Sequence, residues 1–194
     1  MSDAVSPMAA APGSGLRNAT WLAFALLVLT VFGAAFIRFA QGDAGLEGAA
    51  EVARWTYRVA AIVFVLVVAG IAVLGWEALR LTSRAVLAAQ IVLAVALTFL
   101  GRITPSSDHP LVALGNPLGG LALVGLGWWL VLDASPRPVR PPVPLAAAVF
   151  VSAAFAAIAA LVVLRPGLAI GLAVQLGATA ALVAGVTLAY RRNA

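Results

Sequence analysis

Cysteine is absent from this 194-residue chain, which excludes disulfides, thiolate metal sites and cysteine nucleophiles. Lysine is absent as well, so all 12 basic residues are arginine. The single histidine, His109, rules out bis-histidine ligation within one chain. Only seven acidic residues are present, and they fall in loops, so the ordinary catalytic triads lack material. Charged residues make up 10% of the chain, far below the roughly 25% of a soluble domain. The formal charge of +5 does not point to nucleic acid. The arginines stand singly or in pairs at the ends of apolar runs, as membrane topology alone demands.

What the chain has in abundance is apolar sequence. Hydrophobic residues reach 63% and the mean hydropathy is +1.08, values that define an integral membrane protein. The organising stretch is Glu51 to Trp76. It opens with Glu51, Arg54, Trp55, Tyr57 and Arg58, then runs uncharged from Val59 to Trp76. About 20 apolar residues at a 1.5 Å rise cross a hydrocarbon layer of roughly 30 Å.

The same logic along the chain predicts an all-α polytopic membrane bundle of about six transmembrane helices. Residues 1–18 form a flexible tail, rich in Ala, Pro, Ser and Gly to Gly15. The spans are Ala19 to Ile37, Trp55 to Gly75, Ala85 to Leu100, Leu111 to Leu132, Leu145 to Leu164 and Leu168 to Tyr190. Phe39 to Arg54 is a polar loop, with a short surface helix expected over Glu47 to Arg54. Gly115-Asn116-Pro117 predicts a kink or late start in the fourth span. Residues 133–144 carry five prolines and form a stiff linker, followed by a transmembrane hairpin over 145–194.

Six spans place both termini on one side. That side holds Arg17, Arg80, Arg84, Arg137, Arg140, Arg191 and Arg192, so the positive-inside rule makes it cytoplasmic. The expected location is a bacterial inner membrane, with the acidic first loop on the opposite face.

Few polar groups lie at membrane depth. Arg58 suits a bidentate anion clamp or a snorkelling anchor beside Trp55 and Tyr57. Gln90 and Gln175 suit a cofactor edge or an interhelical hydrogen bond. Asn116 suits a helix cap. His109 suits a solvated loop or a metal or heme ligand. Gly115-x-x-x-Gly119 and Gly167-x-x-x-Gly171 allow close helix approach, and Trp128-Trp129 read as interface anchors. The run Ala89–Thr98 is similar to Val174–Val183, an internal match that composition alone can produce.

Taken in order, Phe36-Ile-Arg38 into Gln41-Gly42, Trp55-Thr-Tyr57-Arg58, Ala89-Gln90, Leu97-Thr98-Phe-Leu-Gly101 and Leu114-Gly-Asn116 resemble one half of the heme A synthase family. The resemblance covers Ala19 to Leu132 and implies a four-helix scaffold over 19–132. Tyr57 and Asn116 stand where that family has its heme-ligating histidines, and its cysteine pair is missing. The resemblance therefore implies a non-catalytic relative, serving cytochrome oxidase assembly or acting as an accessory subunit. Its partners would be the lipid bilayer and other membrane subunits, of the oxidase or its assembly machinery. Heme is possible but not required. If bound, the resemblance implies a propionate on Arg58, with Tyr57 or His109 near the iron and Gln90 and Asn116 at the family's positions. Two other readings stand beside it. One is a structural subunit of a respiratory or photosynthetic complex, with no cofactor of its own. The other is a small transporter, for which only Gln90 and Gln175 lie near the midplane.

Overall fold

The structure, a computed structural model, describes residues 13–40, 43–103, 110–135 and 166–193. The expected tail up to residue 12, the loop carrying His109, residues 136–144 of the proline-rich linker and the fifth span lie outside the described residues. Five long helices are described: α1 (Ser14–Phe39), α2 (Glu47–Leu74), α3 (Leu81–Ile103), α4 (Pro110–Asp133) and α5 (Pro166–Asn193), with single 3-10 turns at Ala44–Leu46 and Trp76–Ala78. No strand occurs among the described residues. Ser14–Phe39, Ala44–Leu74, Leu81–Leu100 and Gly167–Arg191 are long and apolar enough to cross a membrane, and Pro117–Asp133 forms a shorter apolar helix.

Large apolar side chains face outward. Leu74 is 89% exposed, Leu81 81% and Val73 78%. On α2 they form a lengthwise stripe of Val52, Trp55, Val59, Ile62, Leu66 and Val73. Water penalises such a surface and hydrocarbon does not. Hydroxyls within the helices donate back to the preceding turn: Thr30 to Leu26 O at 2.7 Å, Thr98 to Ala94 O at 2.9 Å and Thr179 to Gln175 O at 2.8 Å. That pattern hides a donor where no water is available to take it. The chain is an integral membrane protein of helical build.

Three expectations are corrected. First, Glu47 to Arg54 is not a separate surface helix but the first two turns of α2. No glycine or proline interrupts the chain from Ala49 to Ala69. Glu47 and Glu51 also suit the positive end of the helix dipole. Second, of the two expectations at Gly115-Asn116-Pro117 the late start is corrected: α4 is already helical at Pro110, so Pro117 lies inside it. A membrane helix tolerates an internal proline when neighbouring helices support it; the glycines flanking Pro117 seat Leu97 and Leu100 of α3. Third, Asn116 is consequently an interior helical position and not a cap.

Helix α4 is the hub, packed on α1, α3 and α5. Its glycines set the distances. A Cβ on Gly119 would overlap Leu97, and one on Gly115 would lie 2.5 Å from Leu100 Cδ2. Gly120 faces Val31 of α1 and Gly125 faces Leu182 of α5. These pairings fix direction. Moving along α4 from Gly115 to Asp133, the α3 partners fall from Leu100 to Ser83, whereas the α5 partners rise from Leu182 to Tyr190. So α3 runs antiparallel to α4, and α5 runs parallel to it.

Candidate functional site

The one place where polar side chains from three helices converge, among the described residues, is the end of α4. Asp133 closes α4 with its side chain only 6% exposed. Ser83, in the first turn of α3 and wholly buried, donates its hydroxyl to Asp133 Oδ2. Tyr190, near the end of α5, donates its hydroxyl to Asp133 Oδ1 at 3.1 Å. Arg80 sits just before α3, with Nη1 3.5 Å from the same oxygen and its side chain 67% exposed. The carboxylate thus accepts two neutral donors and faces one solvated cation. A buried carboxylate needs such partners.

Neighbouring groups reinforce this end. Trp129 packs edge-on against Tyr190, with ring centroids 5.1 Å apart. Trp128 donates Nε1–H to Thr187 Oγ1 at 2.8 Å and packs against Phe24 and Trp21 of α1. The expected interface anchors are therefore joints between helices; Trp128 is only 6% exposed. Arg84 Nε donates to Trp76 O at 2.8 Å and Leu79 O at 3.1 Å, and its Nη2 to Glu77 O at 3.2 Å. Its guanidinium lies 5.5 Å from the Trp76 ring centre. It serves as the cap of the α2–α3 turn, where backbone carbonyls would otherwise face the interface unpaired.

The residues expected from the sequence are placed differently. Arg58 is exposed and lies 5.7 Å from the centre of the Trp55 ring, itself 60% exposed. Tyr57 is half-buried, its Cβ opposite Gly33 of α1. Gln90 is 1% exposed, in the interior of the bundle beside Gly127. Gly33 stands six residues from Leu27, which also meets Gly127, so Tyr57 and Gln90 lie at levels about 9 Å apart along α1. Among the described contacts none joins Tyr57, Arg58 and Gln90. The side chain of Asn116 and all of His109 fall outside the described residues.

The interior at Gln90 is also closed. A Cβ on Gly127 would meet Leu27 at 3.1 Å, Gln90 Nε2 at 3.2 Å and Phe24 at 3.5 Å. Gln90 Oε1 and Gln175 Nε2 are buried with no hydrogen-bond partner among the described residues, and so is Trp129 Nε1.

Asp133, Ser83 and Tyr190 were not legible as a unit. They are separated by 50 and 57 positions, and Asp133 reads as the first residue of the proline-rich linker. The available signal was an acid directly following an apolar run, a position where a partner is needed. No family model matches the chain, and neither a curated protein nor a solved structure matches it.

Proposed function

We propose that this protein is a non-catalytic accessory subunit of the membrane, built on a four-helix scaffold like one half of heme A synthase and serving cytochrome oxidase or its assembly. The observation that carries the non-catalytic part is that Tyr57 and Asn116 stand where the family has its heme-ligating histidines. The described polar groups at depth are hydroxyls and amides, and the one carboxylate cluster ties helix ends together. The motif order from Phe36 to Asn116 supports the family reading, and an up–down arrangement of α1 to α4 supports the scaffold. The parallel course of α4 and α5 supports six crossings. Asp133 and Pro166 lie at opposite ends of the bundle. The arginine distribution supports cytoplasmic termini.

A second reading, a purely structural subunit of a respiratory or photosynthetic complex, is favoured by the outward stripe on α2. From Val52 to Leu66 its positions follow the three- and four-residue spacing of a helix seam, and Val73 stands seven residues further on.

A pull-down in mild detergent, with an optical spectrum of the eluate, tests both. The first reading expects oxidase or assembly subunits with no Soret band belonging to this chain. Oxidase-free recovery in a stable stoichiometric complex favours the second. A Soret band from the chain alone, with two axial ligands from its own side chains, overturns the non-catalytic assignment.

A further inference from the structure

The end of the bundle that carries Asp133 also carries most of the interfacial side chains. Trp21, Trp76, Trp128 and Trp129 lie at this end, leaving Trp55 alone at the other. Arg17, Arg80 and Arg191 are exposed here. Leu16 reaches Gly75, which brings the start of α1 beside the α2–α3 turn. Tyr190 and Arg80 both approach Asp133, which puts the end of α5 and the start of α3 at the same level.

The arginines at this end differ in what they do. Arg84 is committed to three backbone carbonyls and the Trp76 ring. Arg80 is not. Asp133 already receives Ser83 and Tyr190, and Arg80 touches it only at 3.5 Å through one nitrogen while remaining 67% exposed. The guanidinium itself stays in solvent, with most of its N–H groups not engaged by Asp133. An exposed arginine just before a membrane-spanning helix is within reach of the layer where phospholipid phosphates sit. A planar guanidinium matches a phosphate oxyanion through two parallel hydrogen bonds.

We infer that Arg80, at the same end of the bundle as the exposed Arg17 and Arg191, binds the phosphate of an anionic phospholipid headgroup in the leaflet that this end faces. Asp133 holds Arg80 upright at the rim and does not neutralise it. The charge balance agrees: among the described residues at this end, the exposed Arg17, Arg80 and Arg191 outnumber the acids Glu77 and the buried Asp133. The inference goes beyond the accessory-subunit reading and does not depend on any protein partner.

The test uses the full chain in detergent micelles. Phosphatidylglycerol, phosphatidylcholine or inorganic phosphate is added, and thermal unfolding and lipid retention by native mass spectrometry are followed. Phosphatidylglycerol should raise Tm and stay bound, while phosphatidylcholine and inorganic phosphate should do neither. One arginine near a membrane surface corresponds to about a five-fold change in anionic lipid affinity, so Arg80→Gln should retain about five-fold less phosphatidylglycerol. Arg80→Lys should keep part of the effect. Arg84→Gln should lower the starting Tm yet keep the phosphatidylglycerol shift, which separates loss of fold from loss of lipid. Full retention by Arg80→Gln overturns the inference. So does an equal response to phosphatidylcholine, and a response to inorganic phosphate alone overturns the lipid assignment.

Discussion

Where α4 and α5 finish, three helices meet on one carboxylate, two hydroxyls and a guanidinium, ringed by indoles. Where α1 finishes and α5 begins, the contact is a glycine against a ring: a Cβ on Gly171 would lie 2.7 Å from Phe39. Nearby, Gly115 and Gly119 receive Leu100 and Leu97. One end is held by directed hydrogen bonds and the other by close apolar approach. The difference follows from the solvent. Polar joints suit the interface, where a group that loses its partner can still find water. Van der Waals packing over glycine suits helices that gain nothing from burying apolar surface already in hydrocarbon.

The largest expected effect breaks the polar end. Asp133→Ala leaves Ser83 and Tyr190 without their acceptor, and about 3 kcal/mol of stability should be lost, read as a lower Tm in detergent. Asp133→Asn, which can still accept, should fall between that variant and the parent. Next comes the glycine end. Gly119→Leu overpacks against Leu97 and should cost about 1–3 kcal/mol. Its denaturation midpoint would show that shape, rather than polarity, governs that half. Trp128→Phe keeps the ring stack with Phe24 but removes the bond to Thr187, for an expected loss of about 1 kcal/mol. The smallest effect belongs to Arg58→Gln. Arg58 touches only an exposed ring, so Tm should stay unchanged within error. A large drop would mean that Arg58 has a partner on this chain beyond Trp55.

Much of the helical build was legible because hydrophobic length is a one-dimensional property. The runs at Ala19–Ile37, Ala85–Leu100 and Leu168–Tyr190 each fall within a helix that extends a turn or so further, because lipid-free ends such as Leu81–Arg84 continue as helix. The α2 start was placed at Trp55 because the charges at Glu47–Arg54 separate that stretch from the apolar run in a hydropathy argument. The Glu51–Arg54 pair at 2.7 Å is instead a helical i,i+3 contact. Pro117 misled in the same way, since neighbouring helices rather than local propensity decide whether a membrane helix accepts proline. Burial of Gln90 and Gln175 was legible, because a lone amide in an apolar run turns inward. The Asp133 cluster was not, because the register that brings Ser83 and Tyr190 to it depends on how α3 and α5 pack on the glycines of α4.

The opposed ends can be tested directly because the chain contains no cysteine. Single cysteines at Ser14, Ser135, Gly45 and Gly167, probed in sealed vesicles with an impermeant thiol reagent, report the sidedness of each helix end. The expected result is that Ser14→Cys and Ser135→Cys react from the cytoplasmic face only, and Gly45→Cys and Gly167→Cys from the opposite face only. Reaction of Gly167→Cys from the same face as Ser135→Cys would contradict the parallel course of α4 and α5, and with it the convergence on Asp133.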